Sequence, residues 1–259
     1  MRSWRIWPIL TVASVVVASR PACGQILTKT TLRPSENWSP LLPLTIGGGV
    51  EFQTDRQQTE YNFPLLVEYN FTEYVKLSLE PNITYLENKG QNSVAGIGDM
   101  ETSLEWEFLR ERRYRPALTA IGVIKWPTAS HPDLGSPGRD YGVGLVASKD
   151  LVFVDVDLGL LYTFSGDPEQ QDTLEISVAG EYPFNHRLAM EFEFVTSLGS
   201  DTVFGQPTKP SGSGKNFDGT VGFAWRANKF LKLEQGFTLR TDGTWQVVFG
   251  WTWSFAGED

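Results

Sequence analysis

The chain has 259 residues, a formal net charge of −9, 41% hydrophobic and 13% aromatic residues, 25 Gly and 15 Pro. An acidic chain is repelled by a phosphate backbone, so nucleic acid is excluded as a partner. Beyond the N-terminus no apolar run reaches the ~20 residues that a membrane helix needs, which excludes a helical membrane protein. The aromatic, glycine and proline contents indicate strands joined by turns.

Residues 1–24 are predicted to be a secretory signal peptide. Arg2 and Arg5 precede an apolar run, and Ala22-Cys23-Gly24 forms a small-x-small cleavage site before Gln25. Cleavage would remove the single cysteine, although its lipidation is an alternative. It would also lower the number of basic residues from 22 to 19 against 31 acidic residues, a net charge of −12. The exported chain is therefore predicted to be strongly acidic and free of disulfides.

From Leu44 onward, short segments alternate between apolar and polar or small residues, which is the period of a β-strand. In the segment 244–255 all six odd positions are Trp, Phe or Val, whereas most even positions are polar or Gly. Between 115 and 127 the pattern is weaker because Ile121 and Val123 fall on the polar side. The alternation predicts twelve strands, at about 44–54, 61–70, 74–85, 97–109, 115–127, 139–149, 151–164, 173–183, 187–197, 216–226, 229–240 and 244–255.

The connections between these strands alternate between long polar loops and tight turns, with tight turns predicted at 149–150, 185–186 and 228–229. An even number of strands with short turns on one side and long loops on the other is typical of bacterial outer-membrane barrels. The predicted fold is all-β, a transmembrane antiparallel up-and-down β-barrel of 12 strands over residues 44–259. Residues 25–43 are predicted to be an N-terminal periplasmic segment or a plug. The predicted location is the outer membrane of a Gram-negative bacterium, with outer-membrane lipids, lipopolysaccharide and the barrel assembly machinery as partners.

Aromatic residues cluster at the predicted strand ends, where their amphipathic rings suit the membrane interface. A soluble β-sandwich, the alternative fold, gives no reason for this sorting. The predicted aromatic girdle comprises Trp106, Trp225, Trp251, Trp253 and Phe255 on the periplasmic side, and Trp126 and Trp245 on the outer side.

The polar side of the same strands carries mostly acidic residues. If the apolar side faces lipid, this side lines the lumen, where an unbalanced charge is focused by a low-dielectric wall. Two interpretations stay open at this point: structural ion pairing across the lumen, or a cation-preferring passage. The lumen-lining candidates are Asp99, Glu101, Glu105, Asp155, Asp157, Glu175, Glu191, Glu193, Lys125, Arg226 and Lys232.

Three residues at or beyond the outer rim, Trp126, His131 and Phe204, could receive an apolar or aromatic solute. The two histidines could also serve catalysis, but His131 and His186 fall in loops on opposite sides, without a nucleophile elbow or a second His at metal-binding spacing. We therefore predict that the protein is not an enzyme and binds no metal or cofactor.

Several short motifs resemble the family of outer-membrane proteins associated with the meta-pathway of phenol degradation, also called the phenol MetA-degradation or transporter-like family. The resemblance extends over about 40–255. It is carried by Gly96-Ile97-Gly98-Asp99, Trp126-Pro127-Thr128, Tyr141-Gly142-Val143-Gly144-Leu145 and Ser148-Lys149. The family usually has Gly after Pro-Thr, where this chain has Ala129. The resemblance implies a barrel that passes hydrophobic or aromatic compounds.

The sequence thus leads to a main functional hypothesis and two alternatives. The main hypothesis is an outer-membrane channel for the passive, porin-like transport of small solutes. The alternatives are a non-conducting structural or adhesive barrel and a barrel lipid hydrolase.

Overall fold

The computed structural model describes residues 43–55, 58–88, 93–167, 170–199 and 216–255. All the strands belong to one antiparallel sheet. They are β1 (Leu44–Thr54), β2 (Gln58–Thr72), β3 (Val75–Glu80), β4 (Asn82–Asn88), β5 (Val94–Ile97), β6 (Met100–Leu109), β7 (Ala117–Trp126), β8 (Asp140–Asp150), β9 (Asp155–Phe164), β10 (Thr173–Pro183), β11 (Leu188–Gly199), β12 (Asn216–Arg226), β13 (Leu231–Arg240) and β14 (Trp245–Phe255).

Two of the strands in the barrel wall are interrupted. β3 and β4 pair with successive halves of β2 and are separated by Pro81, whose ring nitrogen cannot donate to a ladder. β6 pairs with β3 and β5 pairs with β4, and this second interruption falls at Gly98-Asp99. Counted as wall strands, β3 with β4 and β5 with β6 make one strand each, so the barrel has 12 strands, as predicted.

The first and last strands close the barrel. β1 pairs with β14 along its whole length, from Leu44 opposite Phe255 to Thr54 opposite Trp245, and β1 also pairs with β2. Apart from the short strand β5, whose ladder partner is β4 alone, each described strand therefore pairs on both sides. Closure leaves no open sheet edge at this seam, and hydrocarbon could not satisfy the backbone groups of such an edge.

The two faces of the wall differ in polarity. Along β14, Trp245, Phe249 and Trp251 are exposed, whereas Gln246 and Thr252 are buried. The same alternation runs through β2, β9, β10 and β13. Exposed apolar side chains thus cover the outside of the barrel, and polar side chains fill its inside.

The turn after β8 differs from the prediction. The tight turn expected at 149–150 lies at residues 151–154, because Lys149 and Asp150 still pair with Val156 and Asp155. Glu111 explains the difference: its carboxylate binds the Lys149 ammonium group and accepts a hydrogen bond from the Asp150 amide (3.3 Å). These contacts hold both residues in the strand.

The predicted signal peptide, residues 25–42, Phe204 and the C-terminal residues 256–259 lie outside the described residues. No helix among the residues that the structure describes has the length and apolar character needed to cross a membrane.

Candidate functional site

The interior of the barrel is the candidate site, because it gathers most of the buried ionisable side chains. Among the described residues, thirteen buried carboxylates face only four buried basic groups, so the interior has a large acidic excess. The carboxylates are Glu51, Glu60, Glu68, Asp99, Glu105, Asp140, Asp157, Glu175, Glu181, Glu191, Glu193, Asp218 and Glu234, and the basic residues are Lys76, Lys125, Lys232 and Arg240.

Lys76 on β3 is the centre of a deeply buried ion-pair cluster. Its Nζ lies 3.2 Å from Glu68 Oε1 and 3.1 Å from Glu105 Oε1, and its side chain is 0% exposed. The backbone register produces this arrangement, because Glu105 on β6 lies directly opposite Lys76 in the ladder. Two carboxylates share one ammonium group, which leaves the cluster with a net negative charge if all three groups are ionised.

A second cluster of one lysine and two carboxylates lies on β11 and β13. Lys232 Nζ on β13 lies 3.0 Å from Glu191 Oε1 and 2.5 Å from Glu234 Oε1. Arg226 extends this acidic region, with Nη2 at 3.3 Å from Glu181 Oε1. Here again the carboxylates outnumber the basic groups.

Two more ion pairs lie near strand ends. Lys125 at the end of β7 binds Asp140 at the start of β8, its register partner. Arg240 Nε lies 3.3 Å from Asp218 Oδ2, again across a ladder. The predicted lumen set includes Lys125 but not Asp140, Asp218 and Arg240, although all three lie within predicted strands on the polar side of the alternation.

The remaining predicted lumen residues are distributed around the inner face. Asp157 and Glu175 are buried on β9 and β10, and Glu193 is buried on β11. Glu101 on β6 lies opposite Lys125 in the ladder, and Asp155 begins β9 at the other end of the barrel. The structure thus brings the predicted residues to one surface, but spreads them over its full height.

Asp99 has different surroundings from the other carboxylates. It lies at the break between β5 and β6, and its two oxygens accept hydrogen bonds from the amides of Ala129 (3.1 Å) and Ser136 (2.8 Å). Both donors belong to the segment between β7 and β8. The Asp99 carboxylate therefore holds a loop.

An apolar patch interrupts the polar interior. Ile121 and Val123 on β7 pack with Val146 on β8 and Leu161 on β9 in one buried cluster. This contact explains the weak alternation of the sequence between 115 and 127, because β7 points apolar residues to both faces. The interior therefore offers both charged and apolar surfaces.

The predicted girdle residues lie near strand ends, and all except Trp126 are exposed on the outer face. Trp126 is half-buried: its Nε1 donates to Thr102 Oγ1 (3.0 Å), and the Arg139 guanidinium group lies 4.6 Å from its ring centroid. These contacts fix the indole ring at the outer end of β7 and would satisfy its polar edge at an interface.

The two histidines lie in exposed connections. His131 Nδ1 accepts a hydrogen bond from the Asp133 amide (3.2 Å) at the start of a short 3-10 helix, Pro132–Leu134. His186 lies in the turn between β10 and β11. His131 is thus used as a helix cap, and its Nδ1 also lies 3.7 Å from Asp133 Oδ2.

Known structures share this architecture. The crystal structure of the COG4313 outer membrane channel from Pseudomonas putida F1 matches 87% of this chain and 100% of its own, with a TM-score of 0.68 and 13% identity. The KdgM porin in complex with disordered oligogalacturonate matches 82% and 99%, with a TM-score of 0.56 and 13% identity. The NanC porin matches 82% and 100%, with a TM-score of 0.55 and 8% identity.

No family model matches the chain, and a search of curated proteins finds no match. At 8–13% identity the structural likeness establishes the barrel fold that this chain shares with outer-membrane channels and porins. The resemblance to the phenol meta-pathway family has no support from the names of these neighbours.

Proposed function

We propose that the protein is a narrow, cation-preferring channel for small solutes in the outer membrane of a Gram-negative bacterium. The observation that carries the proposal is a closed barrel with an apolar outside and an interior in which buried carboxylates outnumber basic groups by thirteen to four among the described residues. In a low-dielectric wall such an excess attracts cations and repels anions.

The outer surface supports the membrane location. Large apolar side chains such as Leu104, Leu160, Val221 and Phe249 are about half exposed. A water-soluble protein rarely exposes so continuous an apolar surface, whereas lipid and lipopolysaccharide acyl chains would cover it. The proposed protein partner is the barrel assembly machinery, which inserts barrels of this kind into the outer membrane.

Ion selectivity tests the proposal directly. Purified protein reconstituted in a planar bilayer should give discrete conductance, and a KCl gradient should produce a reversal potential of the sign expected for potassium. The double variant Asp157→Asn, Glu193→Gln removes two inner charges and should move the reversal potential toward zero. A reversal potential of zero or of the chloride sign in the unmodified protein would refute the cation preference.

A second candidate function is a non-conducting structural barrel. It is favoured by the very low exposure of the inner charged side chains, because Glu51, Glu68, Lys76 and Glu191 are each 2% exposed or less. A barrel of 12 strands is narrow enough for side chains to fill much of it. Absence of conductance, both in the full chain and after deletion of residues 25–43, would favour this function over the channel.

The solute class is the finer part of the proposal. The phenol meta-pathway resemblance favours an aromatic or hydrophobic compound, and the patch of Ile121, Val123, Val146 and Leu161 offers it an apolar surface. The acidic interior adds a preference for positive charge. Oligogalacturonate, which accompanies the KdgM porin, carries carboxylates and is therefore a poor guide to the solute of this barrel.

Liposome swelling can test this preference with matched probes. Benzylamine and benzoate have similar size and apolar surface but opposite charge at neutral pH. We expect faster swelling with benzylamine, whereas equal rates or faster entry of benzoate would contradict the assignment.

A further inference from the structure

The segment between β7 and β8, residues 127–139, folds against the inner side of the wall. We call it the inner loop. It lies beside the place where the wall strand formed by β5 and β6 is interrupted, at Gly98-Asp99. β7 pairs with β6 but not with β5. Beside β5, Ser130 of the loop provides the pairing instead, because the Ser130 amide donates to the Ile97 carbonyl oxygen (2.9 Å).

Two glycines show on which side of the wall the loop lies. Gly96 is opposite Thr84, which is buried on the inner face, whereas the neighbouring Ile83 is exposed outside. A Cβ atom on Gly96 would point to this inner face and would lie 2.0 Å from Ser130 Oγ and 3.1 Å from Leu134 Cδ1. The loop therefore occupies the space inside the barrel that a side chain at position 96 would fill.

Gly98 supports the same placement. A Cβ atom there would lie 3.4 Å from each of three atoms: Asn82 Nδ2, Thr84 Oγ1 and the Leu134 carbonyl oxygen. Asn82 and Thr84 are buried inner-face residues that bond to each other (3.2 Å). Leu134 of the short 3-10 helix is itself only 4% exposed. Gly98 thus lies between the inner loop and inner-face side chains of β4, the strand beside the break.

Asp99 and Thr128 attach the loop to the strand break by hydrogen bonds. The Asp99 carboxylate accepts the Ala129 and Ser136 amides, and so binds both ends of the segment that contains the 3-10 helix. Thr128 Oγ1 accepts the Met100 amide (2.9 Å) and donates to the Gly98 carbonyl oxygen (3.1 Å), which joins the loop to both sides of the strand break.

The end of the loop has a second attachment. Asp140, already paired with Lys125, accepts a hydrogen bond from the Gly166 amide (2.9 Å) in the next outer loop. A Cβ atom on Gly138 would lie 2.4 Å from the Gly166 carbonyl carbon, so the two backbones approach as closely as glycine allows. The inner loop is therefore held by the Asp99 carboxylate and, at its end, by the close approach of Gly138 to the Gly166 backbone.

We infer that the inner loop is a fixed constriction at the outer mouth of the barrel, that it limits the size of the solutes that enter, and that Asp99 is its positioning residue. The size limit rests on the proposed channel function, but the fixed position of the loop does not. Asp99 acts on the loop through the backbone amides that its carboxylate binds. Its effect on the size limit is separate from the effect of the inner carboxylates on ion selectivity.

Thiol labelling tests the position of the loop without any need for conductance. The chain has a single cysteine, Cys23, so the variant Cys23→Ser, Leu134→Cys has one thiol, in the buried part of the loop. We expect slow reaction of this thiol with a bulky maleimide in the folded barrel. Addition of Asp99→Asn should accelerate labelling roughly tenfold or more, because hydrogen bonds to a charged acceptor are lost.

Gly96→Ala provides an independent perturbation. The added methyl group would collide with Ser130 Oγ and Leu134, and would displace the loop without changing any charge. It should accelerate labelling as Asp99→Asn does. Asp157→Asn is the matched control, because it removes the same charge from the inner face of β9, far along the sheet from the loop, and should leave the labelling rate unchanged.

Single-channel recording then tests the size limit. Asp99→Asn and Gly96→Ala should both raise the conductance and admit larger probe solutes, whereas only Asp99→Asn and Asp157→Asn should alter ion selectivity. Heat-dependent migration in gel electrophoresis verifies that each variant is a folded barrel.

The outcomes separate the two proposals. Labelling in the folded Leu134→Cys background that is as fast as in urea, or that neither Asp99→Asn nor Gly96→Ala accelerates, overturns the fixed loop. Accelerated labelling without a change in conductance overturns the size limit. A full chain that never conducts refutes the channel function, and labelling then decides the position of the loop alone.

Discussion

The outer and inner faces of the barrel wall are built on different principles. Trp251 and Thr252 are neighbours in sequence, yet Trp251 is 41% exposed on the outside and Thr252 is 2% exposed inside. On the outside, at the proposed membrane location, only apolar character would be required, because acyl chains accept many apolar shapes equally well. On the inside, Lys76 has specific partners at specific distances. The outer face should therefore tolerate the exchange of one apolar residue for another, whereas the inner face requires particular residues.

Replacement of Lys76 by Met should produce the largest effect. It leaves Glu68 and Glu105 buried without the ammonium group between them, and loss of one member of a buried charge cluster costs about 3–5 kcal/mol of unfolding free energy. Urea unfolding of the barrel in lipid vesicles would measure the loss.

A companion variant separates lost charge balance from lost packing. Lys76→Met combined with Glu68→Gln and Glu105→Gln removes all three charges and should recover much of the stability. If the triple variant is as unstable as the single one, the balance of charge is not what this part of the interior requires.

A charge on the outer face should come next in size. Phe249 is exposed in the middle of β14, and Phe249→Lys would place an ammonium group in hydrocarbon, at a cost of about 2–4 kcal/mol near mid-bilayer. Gln246→Lys on the inner face of the same strand is the matched control, because the Gln246 amide already donates to Glu51 Oε2 (3.3 Å). Equal unfolding midpoints for the two variants would contradict the assignment of the faces.

The smallest effect is expected where two connections between strands meet, because these connections belong to neither face. Arg110 Nη2 lies 2.6 Å from Glu73 Oε2. The hydrogen bond from Arg110, followed by that from Tyr74, lowers the pKa of Glu73 from its ordinary value of 4.5. A lowered pKa contributes stability above the ordinary value, and this contribution disappears as the pH falls through the lowered pKa.

Glu73→Gln removes this contribution and keeps the Arg110 guanidinium group over the Tyr74 ring, 4.1 Å from its centroid. The unfolding midpoint of the variant should lie slightly below that of the unmodified protein at neutral pH and should converge with it in acid. A difference that grows in acid would reverse the sign and refute the assignment.

The strand order and the faces could be predicted because they follow from local alternation. The twelve predicted segments correspond to the wall strands of the structure. The errors arise where tertiary contacts override the local pattern. Glu111, 38 residues away from Lys149, holds that residue in β8 and displaces the expected turn. Ile121 and Val123 point inward because Val146 and Leu161 are there to receive them.

The interior was less predictable, because ion pairs depend on the register between strands. The acidic character of the inner side follows from composition and alternation alone. The register between β3 and β6 decides which residue lies opposite Lys76, and in this structure that residue is Glu105. Asp99 is the clearest example. Its place in the alternation predicted a residue that lines the lumen, but its carboxylate accepts a hydrogen bond from the amide of Ala129, 30 residues later in the chain.

The seam between β1 and β14 has a consequence for the order in which the barrel can fold. Thr45 Oγ1 and Ser254 Oγ lie 3.0 Å apart but are separated by 209 positions in the chain. A contact of such high sequence separation cannot form until nearly all the chain is available, and topologies rich in such contacts fold slowly. Until then both edges are unpaired, and insertion into hydrocarbon would leave their backbone groups unsatisfied. At the proposed membrane location, folding and membrane entry would therefore be completed together, once β14 has paired with β1.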